Sequence, residues 1–130
     1  MKQEYAMKWA EALESGLYPQ SKGTLRDDKG YCCLGVACEV AGKKFTKNPD
    51  NPSSCKYQLD DGRSYAILPR EVQDELGMGD SVGSLPLNQN GFPTMIMVDS
   101  KEFNHLAAAN DGGKTFKQIA QAIRENWKQL

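Results

Sequence analysis

Tyr31-Cys32-Cys33-Leu34-Gly35-Val36-Ala37-Cys38 places three of the chain's four cysteines in one apolar run, and the reading of that run decides the fold. Ahead of it, Asp27-Asp28-Lys29-Gly30 is turn chemistry, with a glycine free to take positive φ. A short strand, a tight turn and then a buried helix is the expected order. In helical register Leu34, Ala37, Cys38 and Ala41 share one face, and Gly42 stands where a C-terminal cap would stop the helix. Free cysteine is among the most buried residue types, so Cys32, Cys33 and Cys38 are expected to fill core as small hydrophobes.

Two chemical readings compete with that one. A thiol at a helix N-terminus feels the helix dipole and can be held as thiolate, which makes Cys32 or Cys33 a candidate nucleophile. Its base would be His105, the chain's only histidine, with Asn104, Asn110 or Asp111 as orienting groups. The chain order fits a papain-like cysteine hydrolase, although no family-specific signature surrounds the cysteine. Spacing argues against structural zinc, because Cys32 and Cys33 are adjacent while Cys55 and His105 stand isolated. No metal and no cofactor is expected. Adjacent cysteines bridge poorly, and Met1-Lys2-Gln3-Glu4 leads straight into a helix with no signal peptide, so the expectation is a reducing cytoplasm.

The chain has 130 residues, which suits a single globular domain over 1–130 able to bury a real core. Its formal charge of −1, from 16 basic and 17 acidic residues, lacks the surplus that non-specific nucleic-acid binding draws on. Lys43, Lys44 and Lys47 are the densest basic patch, with no aromatic-interleaved platform beside them in sequence, and read as a solvated loop. No apolar stretch approaches a membrane span.

Along the chain, Tyr5, Trp9 and Leu13 predict an amphipathic helix over Lys2–Glu14 that ends at Gly16. Thr24-Leu25-Arg26 is expected to pair with residues around Tyr31 across the Asp-Asp-Lys-Gly turn. Asn48-Pro49-Asp50-Asn51-Pro52 is loop, and Lys56–Leu59 with Ser64–Leu68 predict a hairpin around Asp60-Asp61-Gly62-Arg63. Pro69 opens a short helix over Arg70–Leu76 that buries Val72 and Leu76 and stops at Gly77. From Met78 to Pro93 the expectation is irregular structure or an exposed hairpin turning near Asn88-Gln89-Asn90-Gly91, a flap able to close over a ligand. Thr94–Val98 reads as a strand, and Asp99 or Ser100 as the cap of a helix that buries Phe103, Leu106 and Ala107. Thr115-Phe116-Lys117-Gln118 reads as a capping box before a last helix striped by Phe116, Ile119, Ala120, Ile123 and Trp127. Together these predict an α+β domain: a small, mostly antiparallel sheet packed by the N-terminal helix, the cysteine-rich helix and a C-terminal helix pair.

Several motifs form a distinctive set: Trp9-x3-Leu13-x-Ser15-Gly16-x-Tyr18-x-Gln20, then Gly23-x-Leu25-Arg26, then the Tyr31–Cys38 run, Leu68-Pro69, and Asn110-Asp111-x-Gly113-x-Thr115-Phe116-x-x-Ile119-Ala120. The set resembles a family of small proteins common in bacteriophage and prophage genomes. That resemblance implies a viral origin and one small domain, and it supplies no catalytic residue.

By analogy, small phage-encoded domains without a replication or structural signature are often tools against the host. The expected function is therefore non-enzymatic counter-defence in the host cytoplasm, by sequestering a nucleotide-derived immune signal. Binding and inhibiting a host protein is the alternative. A nucleotide trap needs backbone amides and cationic groups for phosphate, an aromatic ring to stack on the base and amides to read its edges. Tyr18, Gln20, Lys22 and Arg26 in one segment, with Asn110, Asp111 and Thr115 in another, are the candidate ligand-binding residues. Each also has a plain structural use: Asn110 and Asp111 close a helix end, and Thr115 caps one. A homodimer is the expected assembly, since small ligand traps often build sites between subunits.

Overall fold

The first helix of the chain packs on the long C-terminal helix, and the cysteine-rich helix packs on the first helix and on the short helix that precedes the C-terminal one. This arrangement comes from a computed structural model, which describes residues 1–47, 57–59 and 66–130. Helix α1 (Gln3–Glu14) buries Ala6, Trp9, Ala10 and Leu13, the three- and four-residue spacing that puts one stripe on a neighbour. The neighbour is α5 (Phe116–Asn126), whose Phe116, Ile119, Ala120 and Ile123 form the expected stripe. Its capping box is complete: the Thr115 hydroxyl accepts from the Gln118 amide at 3.2 Å, and the Thr115 amide donates to Gln118 Oε1 at 2.9 Å. Trp127 leaves the helix for a closing 3-10 turn over Trp127–Gln129 and is half-buried.

Helix α2 (Cys33–Val40) buries every residue from Cys33 to Cys38, so it is apolar all round where one buried face was expected. Trp9 Nε1 donates to the Cys33 carbonyl at 2.9 Å inside the core and keys α1 to α2. Gly35 is required by close approach: a Cβ there would stand 1.9 Å from the Leu25 carbonyl oxygen. The expected pairing of the 24–26 segment with Tyr31 is present as a single antiparallel bridge from Arg26 to Tyr31, and Gln20 adds a parallel one. Helix α3 (Arg70–Leu76) buries Val72 and Leu76 and ends at Gly77 in the left-handed region, as its sequence predicts.

The class is α+β, and its strands form two separate antiparallel ribbons. β1 (Thr46–Lys47) pairs with β2 (Tyr57–Gln58), Lys47 lying opposite Tyr57. Of the hairpin expected from Lys56–Leu59 and Ser64–Leu68, Lys56 and residues 60–65 lie outside the described residues, as does the 48–52 loop. Tyr57–Gln58 pairs upstream, and Ala66 and Ile67 form a bend in place of a strand.

The second ribbon corrects the reading of Asp99 and Ser100 as a helix cap. β3 (Ile96–Val98) turns directly into β4 (Lys101–Phe103), with Asp99 at φ +48° and Ser100 at φ +67°. Two consecutive positive φ angles give a turn whose twist matches its flanking strands. Ile96, Val98 and Phe103 are buried, so the apolar alternation of the hairpin prevailed over the local capping signal. The helix begins later, as α4 (Leu106–Asp111). Upstream, the 78–93 segment is irregular and closes the expected turn: the Asn88 amide donates to the Phe92 carbonyl at 2.8 Å, and Asn88 Oδ1 accepts from the amides of Asn90 and Phe92.

Candidate functional site

Of the seven candidate ligand-binding residues, Gln20, Asn110 and Asp111 form a clasp around the buried Asn110, Tyr18, Lys22 and Arg26 lie at or near an aromatic cluster, and Thr115 stands by itself. Asn110 is fully buried at the end of α4. Its Oδ1 accepts from Gln20 Nε2 at 2.9 Å and from the Cys33 amide at 3.2 Å; its Nδ2 donates to the Ser21 carbonyl at 2.8 Å and to Asp111 Oδ1 at 3.3 Å. Gln20 Nε2 also donates to the Lys114 carbonyl at 2.7 Å, and Asp111 Oδ1 accepts from the Gly23 amide at 3.2 Å. Gln20, Asn110 and Asp111 thus join the 20–23 loop, the N-terminus of α2 and the end of α4. Burial explains the arrangement, since an amide taken out of water needs every polar atom partnered. Thr115 stands apart from the clasp and caps α5.

Tyr18 and Arg26 instead gather around Tyr31. The Arg26 guanidinium carbon is 4.6 Å from the Tyr31 ring centre and 4.0 Å from that of Tyr57, two rings brought together by the Arg26–Tyr31 bridge and the β1–β2 ribbon. Tyr18 meets Tyr31 edge-on at 5.1 Å, and Phe45 meets it at 5.9 Å from another side. Arg26 has no carboxylate or hydrogen-bond acceptor among the described residues. A guanidinium resting on aromatic rings keeps its N–H edge for an incoming acceptor. Lys22 is exposed on the adjoining loop, and Lys47 lies opposite Tyr57 in the ribbon, so an aromatic neighbour does accompany the basic stretch. Sequence reasoning missed Tyr31, Phe45 and Tyr57 here. Their side chains converge through pairing across residues far apart, which leaves no local pattern to read.

The thiols occupy the interior. Cys33 is fully buried and its thiol donates to the Leu106 carbonyl at 3.7 Å. Burial pushes the Cys32 thiol up to about 11 and the Cys33 and Cys38 thiols well above their ordinary value. His105 follows Asn104, which is exposed, and is the N-cap of α4; its Nδ1 accepts from the Ala108 amide at 2.9 Å. With Nδ1 accepting, Nε2 is left as the ring's donor. Cys33 comes within reach of α4 one residue past His105, yet the thiol is enclosed while the imidazole lines an open cleft.

The cleft, about 620 Å³ in volume, lies between the 80–94 loop and His105, with Leu85, Leu87 and Pro93 as apolar lining and Asp80, Thr94 and His105 as polar lining. Asp80 Oδ1 accepts from the amides of Val82, Gly83 and Ser84 at 3.1, 2.8 and 3.2 Å. Burial works to raise the Asp80 pKa, but hydrogen bonds from the Ser84 hydroxyl and these amides outweigh it and hold the carboxyl below its usual range. In sequence this segment reads only as irregular structure or an exposed hairpin; that Asp80 and His105 line one cleft is decided by the fold.

Among the described residues, no three His, Cys, Asp or Glu side chains stand together as a metal-holding group, and no helix is long and apolar enough to cross a membrane. No curated protein and no solved structure matches the chain. A family model matches residues 1–127, and across that span the chain belongs to the family described as a domain of unknown function (DUF8296).

Proposed function

We propose that this is a phage-encoded, non-enzymatic binding protein that sequesters a nucleotide-derived signal of host defence in the cytoplasm. The observation that carries the reading is the Arg26 guanidinium, held against the rings of Tyr31 and Tyr57 with no acceptor of its own among the described residues. Arginine pairs with phosphate bidentately, and the half-buried rings of Tyr18 and Tyr57 are the stacking groups for a base. Lys22 and Lys47 add positive charge around them. The passive character of the reading draws on the thiols: a buried thiol with a raised pKa is a poor nucleophile at neutral pH, and the His105 Nδ1 is engaged with the Ala108 amide.

A thermal-shift screen against nucleotides, including cyclic dinucleotides and ADP-ribose derivatives, tests the proposal, because a ligand bound only by the folded form raises the melting point. The expected result is a hit that Arg26→Ala abolishes and His105→Ala preserves, with the ligand recovered at unchanged mass after heat release. Turnover of the ligand, lost on His105→Ala, would establish the hydrolase reading in its place. A second reading, capture of a host protein, is favoured by Leu87 and Phe92, which are 63% and 65% exposed on the Asn88 turn. A blank nucleotide screen followed by a stable host-protein complex, broken by Leu87→Asp with Phe92→Asp, would select it.

A further inference from the structure

The cleft beside His105 is separate from the Arg26 face, and its lining has a different charge. It contains one carboxylate, Asp80, and neither a lysine nor an arginine. An anionic ligand finds no counter-charge there. The carboxylate is organised by its own loop: Oδ1 takes three backbone amides, and the Ser84 hydroxyl also bonds the carboxyl group. In the same lining, the Nδ1 of His105 is occupied by the Ala108 amide, which leaves Nε2 as the ring's donor beside an apolar edge. Leu85, Leu87 and Pro93 give the rest of the lining an apolar character, and a volume of about 620 Å³ matches a small organic molecule better than a single side chain.

The cleft is also preformed. Asp80 organises one end of the loop, and Asn88 organises the other through its own amide and Oδ1. The carbonyls of Val82 and Gly83 accept from the amides of Ala107 and Leu106 at 3.2 and 3.1 Å, which ties the loop to the first turn of α4. The cost of ordering the loop is therefore met on folding and not on binding.

We propose that this cleft binds a small organic cation, an amine or guanidine attached to an apolar or aromatic body, with the charged group at Asp80 and the body against Leu85, Leu87 and Pro93. The site is independent of the nucleotide proposal, with which it shares no residue.

Matched probes of opposite charge test it: tryptamine and indole-3-propionate, titrated into the isotopically labelled full chain and followed by amide and imidazole chemical shifts. The expected result is saturable tryptamine-induced shifts confined to residues 80–94 and 104–106, with indole-3-propionate binding about ten-fold more weakly or not at all. Asp80→Asn keeps an oxygen for the loop amides and removes the charge, so it should weaken tryptamine about ten-fold, with a melting temperature lowered by the loss of charge-assisted hydrogen bonds. Should that variant unfold, Thr94→Trp, which fills the cleft without touching the loop's hydrogen bonds, must abolish the shifts. Arg26→Ala must leave them intact, which separates failure here from failure of the nucleotide reading. Equal binding of the two probes, shifts mapping elsewhere, no shifts at all, or full affinity in Thr94→Trp would each overturn the proposal.

Discussion

Asn110 shows how one side chain can hold three segments in place. Its amide is the only side-chain partner of the buried Cys33 N–H and of the Ser21 carbonyl among the described residues, and it sits at the junction of α2, α4 and the 20–23 loop. Asn110→Ala leaves both of those buried backbone groups without partners, at about 1–3 kcal/mol each. The expected outcome is a loss of about 3 kcal/mol or more, read as a lowered urea midpoint at unchanged slope. Asn110→Asp would set a buried carboxylate oxygen against the Ser21 carbonyl and the Asp111 carboxylate, and should recover none of the loss. The paired Asn110-Asp111 was legible in sequence as a helix end and as a polar candidate. Its role as a clasp was not, because its partners are Gln20, Ser21, Gly23 and Cys33, far away along the chain.

At the scale of elements, the β3–β4 hairpin carries the clearest local conflict. Asp99 and Ser100 both take positive φ, which costs an L-residue about 1–2 kcal/mol and costs glycine nothing. Asp99 has compensation: its Oδ2 accepts from Gln118 Nε2 at 2.6 Å and faces Lys114 Nζ at 3.8 Å, tying the turn to the start of α5. Ser100 is exposed and makes no comparable contact among the described residues. Ser100→Gly is therefore expected to stabilise the protein by about 0.5–1 kcal/mol after the larger unfolded-state entropy of glycine is subtracted. Calorimetry should show a melting point higher by a few degrees, about 2–5 °C. An unchanged or lower value would mean that the turn is not in this conformation. The same conflict explains why the sequence read as a cap: Asp, Ser and a following Glu serve a helix start and a tight hairpin equally well, and only the burial of Ile96, Val98 and Phe103 decides between them.

Over the whole molecule, the burial of Tyr31 and the thiols makes stability depend on alkaline pH. Burial first, with the Glu39 carboxylate next and Arg26 in opposition, pushes the Tyr31 hydroxyl up to about 12, while burial pushes Cys32 up to about 11. Both groups are neutral when protonated, so the folded chain holds these protons more tightly than the unfolded chain does. Their contribution is fully present below the unfolded values, about 8.5 for cysteine and about 10 for tyrosine, and is lost as pH rises through the folded values. Urea midpoints should be level between about pH 7 and 8 and fall steadily from about pH 9 to 12. Cys32→Ala should flatten the lower part of that fall and Tyr31→Phe the upper part. A midpoint independent of pH up to 11 would contradict the interior placement of both groups.

The chain's own pattern determined α1, α2, α3 and α5 and much of the core. The α1 and α5 stripes, the capping box at Thr115, the stop at Gly77, the Asn88 turn and the interior character of the Cys32–Cys38 run follow from spacing, propensity and hydrophobicity, which act between near neighbours. Only the tertiary structure decided that the strands form two ribbons, that Asp99 and Ser100 turn a hairpin, that Gln20 and Asn110 meet, that Arg26 lies on Tyr31 and Tyr57, and that Asp80 and His105 line one cleft. These depend on which distant groups become neighbours once the apolar helices have packed. Such meetings are set by the shape of the whole core and by the need to partner each buried polar atom, and no window of sequence contains that information.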